Sequence, residues 1–372
     1  MNEVNPAAVA STVAWGGFAL AFIFGAVGNK TNFCTMGAVS DVVNMGDWGR
    51  MRMWLLSIAV AILGASALQL AGLVELSKSI YMGSNFIWLS NLVGGFVFGV
   101  GMTLGSGCAS KTLIRIGGGN LKSLVVFVFL AIAAYVTLKG LFGALRVAVL
   151  DPVSVTLSTG QDLPSLLAKA FGADKKMMLM LASAIATGLL LLFVFKDREF
   201  RGNFDGILGG VAVGFVVVGG WYVSGKLGYL AEDPNTLQEA FVATNSGRLE
   251  SLSFVAPQAY TLELLMFWTD KSKIVTFGIA SVIGVVAGSA AYALASGNFH
   301  WENFRNAEDT ANHMIGGVLM GFGGVTAMGC TVGQGISGFS TLALGSMLTF
   351  LSIVAGSALT MKWQYARMLR EA

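Results

Sequence analysis

The chain has 372 residues, 55% of them hydrophobic and only 12% charged, with a mean hydropathy of +0.72. A soluble domain carries about 25% charged residues, so a chain with half that share cannot cover a water-facing surface, and lipid must solvate much of it. The formal net charge of +3 is too small to point to nucleic acid, and 49 glycines with 5 prolines amid Phe, Leu and Val argue against disorder and for helices packed backbone to backbone.

A bilayer crossing needs about 20 apolar residues. In chain order, uncharged stretches of that size run Val4–Asn29, Met53–Val74, Ser79–Ser110, Met177–Phe195, Gly206–Gly225 and Ile274–Trp301. Before the first of these, Glu3 is the one charge between Met1 and Asn29. The basic region of a cleaved signal peptide is missing, so the run reads as a retained crossing. Ser123–Leu138 is short, but Lys122 and Lys139 can snorkel from its ends. Thr310–Met361 holds no charged residue and is far too long for one crossing; it reads as a hairpin broken at Gly329–Gly338. The expected fold is an all-α integral membrane protein of about nine transmembrane helices with short broken or re-entrant helices.

The longer links, between Arg146 and Lys176 and between Lys226 and Lys273, contain amphipathic pieces at Leu163–Phe171 and Leu237–Val242. These read as interfacial helices or as solvated loops. Trp15, Trp48, Trp54, Trp88 and Trp301 read as interfacial anchors. With the N-terminus outside, thirteen of the 23 Lys and Arg residues, Arg305 among them, fall on the inner side. That favours an outer N-terminus and an inner C-terminus.

One design occurs twice. Gly94-Gly95, Gly99, Gly101 and Gly107-Cys108 recur as Gly316-Gly317, Gly321, Gly323 and Gly329-Cys330, each 222 positions later. A weaker echo starts at Gly209-Gly210 and Gly214, with Tyr222–Ser224 in the cysteine's place. About five crossings separate the copies, so they are expected to run in opposite senses, the inverted repeat of secondary transporters. The chain then reads as a single transmembrane domain, 1–372. One half covers about 1–145, a connecting segment and helix 146–200, and a second half 201–372.

Three cysteines cannot complete a disulfide framework. With two histidines, His300 and His313, and no metal-type spacing, neither zinc nor a redox cofactor is implied. The histidines read as interfacial or packing residues. Each cysteine instead falls in a helix-breaking context: Asn29–Asp41 around Cys34, Gly105–Asn120 around Cys108, and Gly329–Gly338 around Cys330. Irregular backbone at membrane depth is tolerated where protein or a water-filled cavity covers it. Three such breaks, each with a thiol, read as a lined path. A thiol is a weak donor and a polarisable acceptor suited to a soft sulfur anion. Helices starting after Cys108 and Cys330 would aim free amides at the same place. Gly107 and Gly329 would let backbone approach the solute, and Lys111 would add charge. Asn32 and Gln334 could line the path or hydrogen-bond loop backbone, Lys111 and Arg115 could instead anchor at the interface, and Asp41 could brace the first loop.

The strings TNFCTMGAVSD, GSGCASKTLIRIGGGN and GCTVGQGISG resemble the YeeE/YedE family of sulfur-compound transporters over nearly the whole chain. The resemblance implies thiosulfate uptake across the bacterial inner membrane by an hourglass-shaped protein, with a three-cysteine relay matching Cys34, Cys108 and Cys330. It also implies a small cytosolic sulfur carrier of the TusA type as partner. Val332 and Gln334 stand where many members carry a basic or aromatic residue, so the solute could instead be sulfite, sulfide, a persulfide or a selenium species. Two other readings compete: a membrane sulfurtransferase carrying a cysteine persulfide, for which Lys111 beside Cys108 is the one activating cation, and a docking subunit for the carrier.

Overall fold

The computed structural model describes residues 5–234, 236–304 and 306–371. Glu3, Val4 and Arg305, which enter the sequence reading, lie outside the described residues. Helix α1 (Pro6–Lys30) starts behind Asn5, whose side chain accepts from the Ala7 amide, with Pro6 at the first helical position, where its missing N–H costs nothing. A short α2 (Thr35–Ser40) continues as a π turn, Asp41–Met45, into α3 (Gly49–Leu70). Strand β1 (Asn85–Phe86) precedes α4 (Trp88–Leu104), which breaks, resumes as α5 (Ala109–Gly117) and returns as α6 (Leu121–Lys139). Then come α7 (Leu141–Leu145), a π turn at Arg146–Leu150, β2 (Val155–Thr156), α8 (Leu163–Phe171) and α9 (Lys175–Phe195). A short α10 (Arg198–Gly202) leads to α11 (Phe204–Tyr222), followed by β3 (Tyr229–Leu230), β4 (Ala240–Phe241), α12 (Ala256–Met266) and α13 (Phe277–Ala295). Last are α14 (Ala307–Thr326), a π-helical stretch at Gly333–Gly338, and α15 (Leu344–Glu371).

Among the described residues, eight helical stretches are long and apolar enough to cross a bilayer. The chain is thus an all-α, multi-pass membrane protein. Helix α14, of 20 residues, carries Glu308, Asp309 and His313 in its first two turns and is less apolar, yet it packs along α4 and α6. The proposed interfacial segment Leu163–Phe171 is helical. Leu237–Val242 is not: Leu237 has φ 54, and Ala240–Phe241 pairs antiparallel with Tyr229–Leu230. A cross-strand Tyr229–Phe241 contact, 5.5 Å between rings, overrides the local helical pattern.

Close helix approach follows from glycine. A Cβ on Gly25 would lie 2.2 Å from the Val285 carbonyl oxygen, and one on Gly288 would lie 2.0 Å from that of Phe22, so the backbones of α1 and α13 are in contact. Gly17 meets Phe277 at one end and Asn29 meets Ser289 at the other, so the two helices run parallel. Gly94 faces Gly323 and Ala327, while Gly101 faces Gly316 and Met320. Rising numbers on α4 meet falling numbers on α14, so the two copies of the glycine motif lie antiparallel. Gly95 and Gly99 seat α15 against α4, and Gly317 and Gly321 seat α6 against α14, both pairs parallel. Each copy therefore has the same kind of neighbour on its other side.

Trp54 is not an interfacial anchor. It is 1% exposed, stacked between Phe33 at 4.8 Å and Phe350 at 5.9 Å, where each aromatic pair contributes about 0.5–1.5 kcal/mol beyond burial. Trp15, Trp48, Trp88 and Trp301 are exposed, as anchors require.

Candidate solute path

The three cysteines share one local architecture, and it starts two residues upstream of each. Helices α1, α4 and α14 all end on a non-glycine residue in the left-handed region: Asn32 at φ 54, Ser106 at φ 56 and Met328 at φ 59. The following amides reach back to close each end, Phe33 N to Gly28 O at 3.0 Å, Gly107 N to Met102 O at 2.9 Å, and Gly329 N to Gly324 O at 2.8 Å. This is a Schellman-type stop. The next residue is the cysteine, which caps a new helix. The Gly37 amide donates to the Cys34 sulfur at 3.3 Å, and the Gly333 amide to the Cys330 sulfur at 3.4 Å. Cys108 holds the same N-cap position but its sulfur makes no capping hydrogen bond.

These stops bring the thiols to one region. All three are free and buried. Cys34 and Cys108 are close neighbours, and the Cys108 sulfur lies 3.3 Å from Ser110 Oγ and 4.0 Å from the hydroxyl of Thr35, the residue after Cys34. Thr331, next to Cys330, lies close to Cys108, its hydroxyl buried without a hydrogen bond, so the second copy comes near the first through its cysteine loop. On the far side of Cys330, the Phe254 amide faces its sulfur as well.

The other candidates separate into two groups. Lys111, 7% exposed, places Nζ 2.6 Å from Asn32 Oδ1 and lies near Cys34 and Cys108. A buried ammonium whose one hydrogen-bond partner among the described residues is a neutral amide is costly unless an anion joins it. Gly107 adjoins Lys111: a Cβ there would meet Lys111 Cγ at 3.4 Å, an ordinary contact. Gln334 turns away: its Nε2 donates to Ala327 O at 2.5 Å, while Oε1 is buried without a partner. Gly329 packs on it: a Cβ there would lie 3.1 Å from Gln334 Cγ. Arg115 Nη1 donates to Ser106 O at 2.6 Å and so braces the α4 break. Asp41 is buried and pairs with the Arg50 guanidinium, holding the α2 turn. His313 is buried beside Asp309, and His300 bonds Asn298 O.

A fourth irregular segment, Ser251–Val255, joins this centre without a cysteine, so no thiol marks it in the sequence. It leads into α12, where Gln258 is fully buried and donates to Ala109 O at 3.0 Å, next to Cys108. Its sequence signal is Ala256-Pro257, a helix start, immediately after a Ser-rich turn. Beside it lies a cavity of about 200 Å³ floored by Gly329 and lined by Tyr81, Arg146, Glu250, Ser253 and Tyr260.

The arrangement offers a soft or anionic solute thiols, hydroxyls, helix-start amides and one buried ammonium. Comparison with known proteins gives a consistent result. Residues 30–359 match the family model described as sulphur transport. The chain is 26% identical over 363 residues to the thiosulfate transporter TsuA of Spirochaeta thermophila, covering 94% of this chain and 98% of that one. It is 25% identical over 330 residues to the thiosulfate transporter TsuA of Escherichia coli, covering 84% of each. The chain belongs to the sulphur transport family, the YeeE/YedE group that its cysteine motifs resemble.

Proposed function

We propose that this chain takes up thiosulfate, or a closely related small sulfur anion, across a bacterial inner membrane by passing it along Cys330, Cys108 and Cys34. The observation that carries the reading is the convergence of three thiols, each set behind the same left-handed helix stop, beside a buried lysine. Such a site binds through weak, polarisable contacts at successive stations, which lets a solute enter and leave. Lys111, with Asn32, supplies the single full charge, and Gly107 and Gly329 keep the cysteine loops open to backbone approach. Gln334 lines the last loop with its unpartnered Oε1. The solute moves unchanged, so the protein is a transporter and not an enzyme.

In this reading the halves 1–145 and 201–372 form an inverted pair joined by 146–200, supported by the antiparallel packing of α4 and α14. The N-terminus lies outside and the C-terminus in the cytosol, where a TusA-type sulfur carrier is the partner. The test is radiolabelled thiosulfate uptake into proteoliposomes with Cys34, Cys108 and Cys330 each changed to alanine. Losing one contact of about 1–3 kcal/mol lowers uptake by roughly tenfold or more. Uptake unchanged in Cys108→Ala or Cys330→Ala would rule out the relay.

A further inference from the structure

The cavity beside Cys330 has a charge pattern that does not suit an anion at every pH. Its wall carries one cation and one carboxylate, Arg146 and Glu250, among neutral Tyr81, Asn245, Ser253 and Tyr260. Arg146 is already committed, 3.2 Å from Asp151. With Asp151 counted beside Arg146, ionised Glu250 brings the three charges to a sum of −1, and Glu250 lines the same cavity as Gly329, the neighbour of Cys330. One Glu250 oxygen accepts from the Ser246 amide at 2.8 Å. The other has no hydrogen bond to a described residue. A neutral carboxyl there presents an O–H donor to an incoming anion, where a carboxylate presents like charge.

We propose that this cavity is the antechamber for the anion and that Glu250 gates it, admitting the solute when its carboxyl carries a proton. The inference rests on the transport reading above. Burial pushes the Glu250 carboxyl above its ordinary value, against hydrogen bonds that lower it. The titratable groups facing it are Tyr81 from the loop before α4, Arg146 with Asp151 from the turn after α7, and Tyr260 from α12. Behind Tyr260, Glu263 is held by Lys139 at 3.1 Å and Lys273 at 2.7 Å. None of these neutralises Glu250 directly. The sign follows: as pH rises through the Glu250 value the carboxyl ionises and entry falls; as pH drops, entry rises.

The test is exchange of external radiolabelled thiosulfate with unlabelled thiosulfate loaded inside proteoliposomes, which needs no driving force. External pH is stepped from about 5.5 to about 7.5. Wild type is expected to slow as pH rises, by at most about tenfold per unit, the limit for one proton. Glu250→Gln, permanently neutral, is expected to give a flat profile, and Glu250→Asp to keep a falling one. A flat wild-type profile, or a Glu250→Gln profile that falls like wild type, overturns the gate while leaving transport standing. If Glu250→Gln does not fold, a Glu250→Asp midpoint identical to wild type overturns it. Absence of exchange at every pH overturns the transport reading itself, and the gate with it.

Discussion

At the scale of single residues, the left-handed positions before each cysteine determine where the thiol points. Asn32 is the one of the three whose side chain also serves the path, since its Oδ1 holds Lys111 at 2.6 Å. Two effects can be separated there. Asn32→Gly keeps a residue at ease at φ 54 and removes the acceptor, whereas Asn32→Ala removes the acceptor and places a Cβ in the left-handed region at about 1–2 kcal/mol. Both variants should weaken solute binding through the loss of a charge-assisted contact. Thermal unfolding in detergent should rank Asn32→Ala below Asn32→Gly by about 1 kcal/mol; equal stabilities would mean that the turn does not fix the loop. The sequence pointed to Asn32 through its place beside a cysteine, but not to its conformation. Ser106 and Met328 share that conformation without the Asn or Gly that normally announces it, so the common stop was visible only in backbone angles. Gln334 shows the opposite limit: a polar residue inside a cysteine motif whose amide nitrogen serves its own loop.

At the scale of elements, glycine spacing carried most of the legible information. The repeated pattern from Gly94 and from Gly316 marks two helices that pack on each other, and its inverted sense follows from the crossings between them. Gly25 and Gly288 are different, since neither belongs to the repeat, yet α1 and α13 touch at both. Gly288→Ala would drive a Cβ to 2.0 Å from the Phe22 carbonyl oxygen and must separate the helices, costing about 1–3 kcal/mol as overpacking. Gly188→Ala, in α9 with nothing within 4 Å of the added atom, should be neutral or stabilising by up to about 1 kcal/mol through helix propensity. Paired melting curves for the two variants check this, and a harmless Gly288→Ala would contradict the packing. What local pattern missed was tertiary. Trp54 has an interfacial residue's composition, but the Phe33 loop folds back over it. The segment 237–242 has a helical pattern that strand pairing with Tyr229–Leu230 displaces. The Ser251–Val255 break had no thiol to draw attention, although it faces Cys330 as directly as the cysteine loops do.

At the scale of the whole molecule, the thiols form a series and not a cluster of equals. The cavity floored by Gly329 lies on the Cys330 side. Cys108 is in the middle, close to both Cys34 and Thr331, and Cys34 sits on the side of Lys111 and the Asp41–Arg50 pair. All three are buried in this conformation, so a charged, membrane-impermeant thiol reagent should find none of them accessible without solute. Movement of an anion along the series has to open one end at a time if the barrier is to persist. Adding thiosulfate should therefore make Cys330 reactive to reagent supplied from the cavity side, and Cys34 reactive to reagent supplied from the opposite side. Cys108 should be modified last from either. Peptide mapping after labelling of sealed, oriented vesicles reads this order directly. Equal modification of Cys330 and Cys34 from one side would mean that the path is a continuous pore, and would remove the need for the central Cys108–Thr331 contact as a barrier. The expected asymmetry follows from chain topology: α4 and α14 approach their breaks from opposite directions, which assigns Cys108 and Cys330 to the two sides of one central contact.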